Sequence, residues 1–238
     1  SLRIVDFIEH PYPDFAGLNL MYETRLGLAK HRSPYDKPTD DVFSEKNCSL
    51  EGQIAGIADR IAYNCHDLED GMRSRVIEAE QLANVKLFTN AQQRIKADAI
   101  NDMTIRRIRT AKAIIDVLVS DCIEASRKVI SSAGIKDIDQ VYVRDDNLIV
   151  HSRTIETSLV QLEEFLMQNL YRHDSVRAED KVKQWLSNLF NAICSKPDKM
   201  PSYYQKMIEQ QALERVVCDY IAGMTDRYCL RMLEELSL

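Results

Sequence analysis

No proline occurs between Pro38 and Pro197. Proline and glycine make the tight turns that successive strands require, and this chain has only 7 glycines in 238 residues. Such a chain is expected to be mostly helical. With 45% hydrophobic and 29% charged residues it can bury a core and solvate its surface, which excludes a disordered chain. No apolar run approaches the roughly 18–20 residues of a membrane span, so no membrane partner is expected. Lys and Arg number 31 against 37 Asp and Glu, a formal charge of -6 that provides no global positive field for nucleic acid and leaves only a local basic patch open. The six cysteines, Cys48, Cys65, Cys122, Cys194, Cys218 and Cys229, lack CxxC spacing and read as free thiols of a cytoplasmic protein.

Apolar spacing places the elements. The chain opens on Leu2, Ile4, Val5 and Ile8, as though a helix were entered partway. Leu18, Tyr22, Leu26 and Ala29 recur at helical spacing and end near Lys30, and a polar loop follows from Arg32 to Asn47. Ser49 then opens a long helix with an apolar stripe of Ile54, Ile57, Ala58, Ile61, Ala62 and Cys65. Residues 95–131 read as a spine helix stopped by Gly134. In VYVRDDNLIV, β-branched residues flank Asp145, Asp146 and Asn147, which predicts one short hairpin. Helices are expected again over 154–171, 177–194 and 203–236, with Gly223 inside the last at a point of close packing.

The chemistry concentrates in ADRIAYNCHDLEDG, residues 58–71. On a helix Asp59, Tyr63, His66, Asp67 and Asp70 share one face opposite the apolar stripe. Polar residues there are ordinarily a solvated face, but a phenol and an imidazole are poor choices for solvation alone. Ala55, Gly56, Ala58 and Ala62 also leave room for another element to approach closely.

This segment resembles the signature of the bacterial deoxynucleoside triphosphate triphosphohydrolases, the dGTPase-like branch of the HD-domain superfamily. HPYPDFAGLNLMYETRLGLAKHRSPYD, LVSDCIEASRKVI, FLMQNLYRH, LFNAICSKPDKMP and VCDYIAGMTDRYCL follow in the family's order, so the resemblance covers essentially all 238 residues. It implies an all-α fold, the C-terminal portion of an HD-domain-like bundle, with residues 1–93 belonging to the HD core and 94–238 forming a helical region packed on it. The implied reaction converts a dNTP and water to deoxynucleoside and triphosphate. The implied cofactor is a divalent metal, Mg or Mn, with a transition metal also admitted by a mixed imidazole and carboxylate set.

By position, Asp59 resembles the fourth metal ligand. Tyr63 and Asp67 match the pair beside the deoxyribose, where a tyrosine ring leaves no space for a 2′-hydroxyl and a carboxylate accepts the 3′-hydroxyl proton. Lys30 and Asn19 resemble positions that face the triphosphate, although a lysine at a helix C-terminus also complements the helix dipole. Arg60 departs from the family pattern and is expected to be solvated. His66 and Asp67 belong to the sugar-reading segment, not to the metal-binding HD pair.

The family's H…HD motif finds no counterpart before Asp59, where His10 and His31 do not fit it. No catalytic residue is therefore expected in this chain, and the metal site is expected to be incomplete. A nucleotide effector and a homo-oligomer are further expectations. The basic run Arg94, Lys96, Arg106, Arg107 and Arg109 is expected to be an exposed helix face before an effector site. Two other readings are a phosphohydrolase of HD type acting on another nucleotide and a noncatalytic nucleotide-binding or assembly subunit.

Overall fold

The structure, a computed structural model, describes residues 2–31, 42–172 and 179–236. Among them every regular element is helical, and no helix is long and apolar enough to cross a membrane. The chain divides into two units, Ser1–His173 and Asp174–Leu238.

In the first unit, a π-helical turn at Ile4–Ile8 precedes α1 (Tyr22–Ala29), α2 (Leu50–Arg73), α3 (Lys86–Arg94), α4 (Met103–Ala133), the single turn α5 (Asp139–Tyr142) and α6 (Arg153–Leu166). The helix ends follow local chemistry. Ser49 Oγ accepts from Gly52 N at the start of α2, and an Asp102 carboxylate oxygen accepts from Thr104 N and Ile105 N at the start of α4. Gly134, at φ 62°, ends α4 in the left-handed region that a side chain would strain. The spine therefore begins at Met103, not Ile95; a 3-10 turn at Ala97–Ala99 separates it from α3.

α2 and α4 pack along each other, with α3 and α6 closing the bundle. Ile61, Cys65 and Leu68 of α2 meet Ile114 and Leu118 of α4 and Leu159, Leu162 and Leu166 of α6 in one core. Each fully buried aliphatic side chain there contributes roughly 1.5–3 kcal/mol. The N-terminal part of the expected α2 stripe is not core, since Ile54 is 51% exposed and the neighbouring Gln53 is buried in its place. α6 runs on into a π-helical turn, Met167–Tyr171.

The hairpin expected in VYVRDDNLIV does not form. α5 takes its first residues, and the backbone donors beyond find side chains instead of a partner strand. Leu148 N and Ile149 N donate to Gln53 Oε1 of α2 (2.7 and 3.2 Å), and Val150 N donates to Ser126 Oγ of α4 (2.9 Å). Leu148 is fully buried here and Val141 and Ile149 nearly so, whereas Val143 stays exposed. The polar loop expected over residues 32–47 lies largely outside the described residues.

The second unit holds α7 (Glu179–Ser195), α8 (Ser202–Met207), α9 (Leu213–Ala222) and α10 (Asp226–Glu235). Leu189, Ile193, Met207, Val216, Val217 and Leu233 form its core. The single helix expected over 203–236 is thus three. Gly223 caps α9 instead of lying inside a helix, and the nearest atoms a Cβ would meet are 3.7 Å away, so no close approach requires it. Thr225 Oγ1 then accepts from Tyr228 N to start α10.

Candidate functional site

The site is built where α1 crosses α2. Two glycines set the crossing: a Cβ on Gly52 would lie 2.9 Å from Cys48 Sγ and 3.4 Å from Gly27 Cα. The crossing brings Lys30 and His31, at the C-terminal end of α1, beside α2. His31 lies against Gly56, its Cδ2 only 3.4 Å from where a Cβ would stand. Two depressions result. A cavity of about 330 Å³ is lined by Lys30, His31, Gln53, Gly56, Arg60 and His151. An open groove of about 700 Å³ is lined by Thr24, Gly27, His31, Gly52, Gly56 and Asp59. Gly56 is thus the small residue that another segment approaches; Ala55 and Ala58 are exposed.

The expected site residues fall into three groups. Lys30 is 7% exposed, caps α1 through its N–H to Leu26 O (2.9 Å), and lines the cavity. Asp59 lines the adjoining groove, with its side chain 67% exposed and Oδ2 4.0 Å from His31 Nε2. Tyr63 and Asp67 lie one and two turns further along the same face of α2. The Tyr63 hydroxyl donates to Glu163 Oε1 of α6 (3.3 Å), and the Tyr171 hydroxyl, in the π-helical turn, donates to Asp67. Asn19 lies exposed in the loop before α1, at φ 51°, and lines neither depression. His66 and Asp70 remain on the exposed side of α2.

Arg60 is not solvated. Its Nε and Nη2 grip both oxygens of Glu163 (2.7 and 3.0 Å), and its Nη1 reaches Glu156 Oε1 (2.8 Å). Asn64 Nδ2 donates to the same Glu163 Oε1 (3.0 Å). Burial disfavours the charged forms of both partners, but the paired hydrogen bonds and opposite charges outweigh it. Arg60 is held protonated and the Glu163 carboxyl is kept below its ordinary range. Burial together with the Glu163 charge pushes the Tyr63 phenol up to about 12, so it stays a donor.

The cavity's far wall is the segment after α5. The His151 side chain is wholly buried, its Nδ1 3.3 Å from Asp121 Oδ2, and neither ring nitrogen has a well-formed hydrogen bond among the described residues. Burial lowers its pKa, against the pull of Asp121, so the ring is neutral near pH 7. Sequence reasoning missed Glu156, Glu163, Asn64 and His151. A signal for the first two existed: Glu156 and Glu163 stand seven residues apart on one face of a predicted helix. Nothing local in the sequence says that this face meets Arg60. The basic run beyond α3 disperses, with Arg94 paired to Asp116, Arg106 donating to Ile100 O, and Arg107 turned toward Glu69.

Among the described residues no three His, Cys, Asp or Glu side chains converge as a metal site. Asp59 and His31 supply at most one carboxylate and one imidazole. An ion meeting only these would be largely water-coordinated, so they fit one edge of a site and not a whole one.

Comparison with known proteins sets the class first: residues 149–235 match the family model of a phosphohydrolase-associated domain. Over 235 residues the chain is 39% identical to a deoxyguanosinetriphosphate triphosphohydrolase-like protein of Geobacter sulfurreducens, an alignment covering 97% of this chain and 61% of that protein. Proteins of the same name from Azoarcus (34% identical, 97% and 62% covered) and Leptospira interrogans (35% identical, 99% and 64% covered) align similarly. The chain is therefore a relative of the deoxyguanosinetriphosphate triphosphohydrolase-like proteins. It spans about three-fifths of the length of these curated relatives.

Proposed function

We propose that these residues form part of a metal-dependent dNTP triphosphohydrolase, which releases deoxynucleoside and inorganic triphosphate. The observation that carries the reading is the division of labour along α2. Tyr63 and Asp67 are held against α6 and the π-helical turn, while Asp59 stands exposed beside His31 at an open groove adjoining the cavity that Lys30 lines. The name borne by the relatives supports the same chemistry.

In this reading the Tyr63 ring bars a 2′-hydroxyl and Asp67 accepts the 3′-hydroxyl proton. A carboxylate that already accepts from Tyr171 keeps further lone pairs for that second donor. The Lys30 ammonium supplies point charge to phosphoryl oxygens from the cavity wall. Asn19 would reach the triphosphate only if the loop before α1 turned toward it. Asp59 would add its carboxylate to donors outside the described residues, and the metal would polarise the α-phosphate and acidify water.

The complete polypeptide bearing these residues should release triphosphate from dNTPs with Mn or Mg, and Asp59→Ala should abolish release. The 238 residues by themselves should hydrolyse none of the four dNTPs. Metal-dependent triphosphate release by the isolated chain would overturn the incomplete-site part of the proposal. Failure of the complete polypeptide to turn over any dNTP, with binding retained, would favour a noncatalytic nucleotide-binding subunit.

A further inference from the structure

We propose that Glu163 is a positioning residue for sugar selection: clamped by Arg60, its carboxylate fixes the Tyr63 hydroxyl and hence the ring that excludes a 2′-hydroxyl. The inference rests on the reading of Tyr63 as the residue beside the deoxyribose.

The geometry carries it. Arg60, Tyr63 and Asn64 stand at i, i+3 and i+4 on α2, so their side chains emerge on one face. All three donate to a single oxygen, Glu163 Oε1, at 2.7, 3.3 and 3.0 Å. Glu163 Oε2 takes the second arm of the Arg60 fork at 3.0 Å. Glu156, one face-repeat earlier on α6, holds the remaining Arg60 nitrogen. The guanidinium therefore cannot swing, and the carboxylate it grips cannot rotate. Asn64 Nδ2 also reaches back to Arg60 O (2.8 Å), locking the amide between the two.

An ion pair needs one partner for the carboxylate; this one has three, Arg60, Asn64 and the Tyr63 phenol. A buried ion pair is weak evidence of stabilisation, because well-packed apolar residues of similar volume do as well. Its distinctive effect is to fix direction. A tyrosine ring has two free torsions, and a ring that excludes one hydroxyl must hold its place to within about 0.5 Å. Anchoring the far end of the ring removes the torsional freedom that packing on a half-exposed helix face leaves.

The same helical segment acts a second time. Eight residues separate Glu163 from Tyr171, which at 3.6 residues per turn would set them about 80° apart. The wider π-helical turn at Met167–Tyr171 rotates the chain less per residue and returns Tyr171 toward α2, where it meets Asp67. Both sugar-facing residues of α2 are thus held from one continuous segment.

The test compares Glu163→Gln, Tyr63→Phe, their combination, and Tyr63→Ala. In the complete polypeptide, the readout is the ratio of kcat/KM for a deoxynucleoside triphosphate to that for the ribonucleotide of the same base. Tyr63→Ala should collapse the ratio. Glu163→Gln should lower it by about tenfold, part of the roughly hundredfold that steric exclusion of one hydroxyl provides. Tyr63→Phe should match it, and the combination should go no lower. In the 238-residue chain, ultraviolet titration isolates Tyr63 as the difference from Tyr63→Phe; with Glu163→Gln its ionisation should move to lower pH, since the carboxylate charge is gone and Arg60 remains. If Glu163→Gln melts the fold, Arg60→Gln with Glu163→Gln removes both charges and should still lower the ratio. An unchanged ratio in folded Glu163→Gln, or an unmoved Tyr63 titration, overturns the inference while the function stands. An unchanged ratio in Tyr63→Ala, or no dNTP turnover, overturns the reading beneath it and the inference with it.

Discussion

The two ends of the polar face of α2 are chemically opposite. Toward the N-terminus, Asp59 projects into an open groove where, among the described residues, His31 is the one within ion-pair distance. One and two turns on, Tyr63 and Asp67 are each gripped by a group from α6 or its π-helical extension. The difference teaches which part of the site these residues preorganise. Under the proposed function, a hydroxyl-excluding face would need a fixed ring, and the bundle holds the Tyr63 hydroxyl through Glu163. A metal ligand needs other donors around it, and the described residues do not supply a set.

The largest expected break in this contrast is a stability measurement. Glu163→Leu leaves the Arg60 charge buried without its main partner and should cost about 3–5 kcal/mol in urea unfolding. Asp59→Ala should leave the denaturation midpoint unchanged, since its side chain is 67% exposed. Equal effects would erase the distinction between the two ends. A middle-sized effect is expected at the crossing that builds the open end. Gly52→Ala puts a methyl 2.9 Å from Cys48 Sγ and should destabilise by about 1–3 kcal/mol. A neutral result would mean that the Cys48 side chain yields to the added methyl.

The smallest expected effect is a pH dependence that involves His151 on the cavity wall and Glu163 at the locked end. Burial depresses the His151 pKa below 6.5, so the unfolded chain binds a proton that the folded chain resists, and stability falls as pH drops below 6.5. For Glu163, burial opposes ionisation but Arg60 overcomes it and holds the pKa below 4.5. Its contribution is present above 4.5 and lost as pH falls through the lowered value. His151→Phe should flatten the upper step and spare the lower one, as read from unfolding midpoints across pH. Persistence of the upper step would assign it to another group.

Much of α2 is legible locally. Ser49 as cap, the 3.6-residue recurrence through Ile61 and Cys65, and the placing of Asp59, Tyr63 and Asp67 together follow from spacing alone. So does the stop at Gly134. The segment after α5 is not legible in this way. Its β-branched residues point to a hairpin because propensity reads the backbone's nearest options, whereas Gln53 and Ser126 offer its N–H groups better-placed acceptors from other helices. Arg60 misleads for a related reason. A charge opposite an apolar stripe is solvated unless a second helix brings carboxylates to it, and α6 brings two.

The sequence by itself determined that the chain is helical, that Ser49 opens α2 and Gly134 ends α4, and which side chains share the polar face of α2. Caps, turns and periodicity act within a few residues, so they are written in the order of the residues. Only the tertiary structure decided that this face has an open end and a locked one. That choice depends on Glu163 and Tyr171, about 100 positions away along the chain, whose effect on Tyr63 and Asp67 exists only once α6 lies against α2.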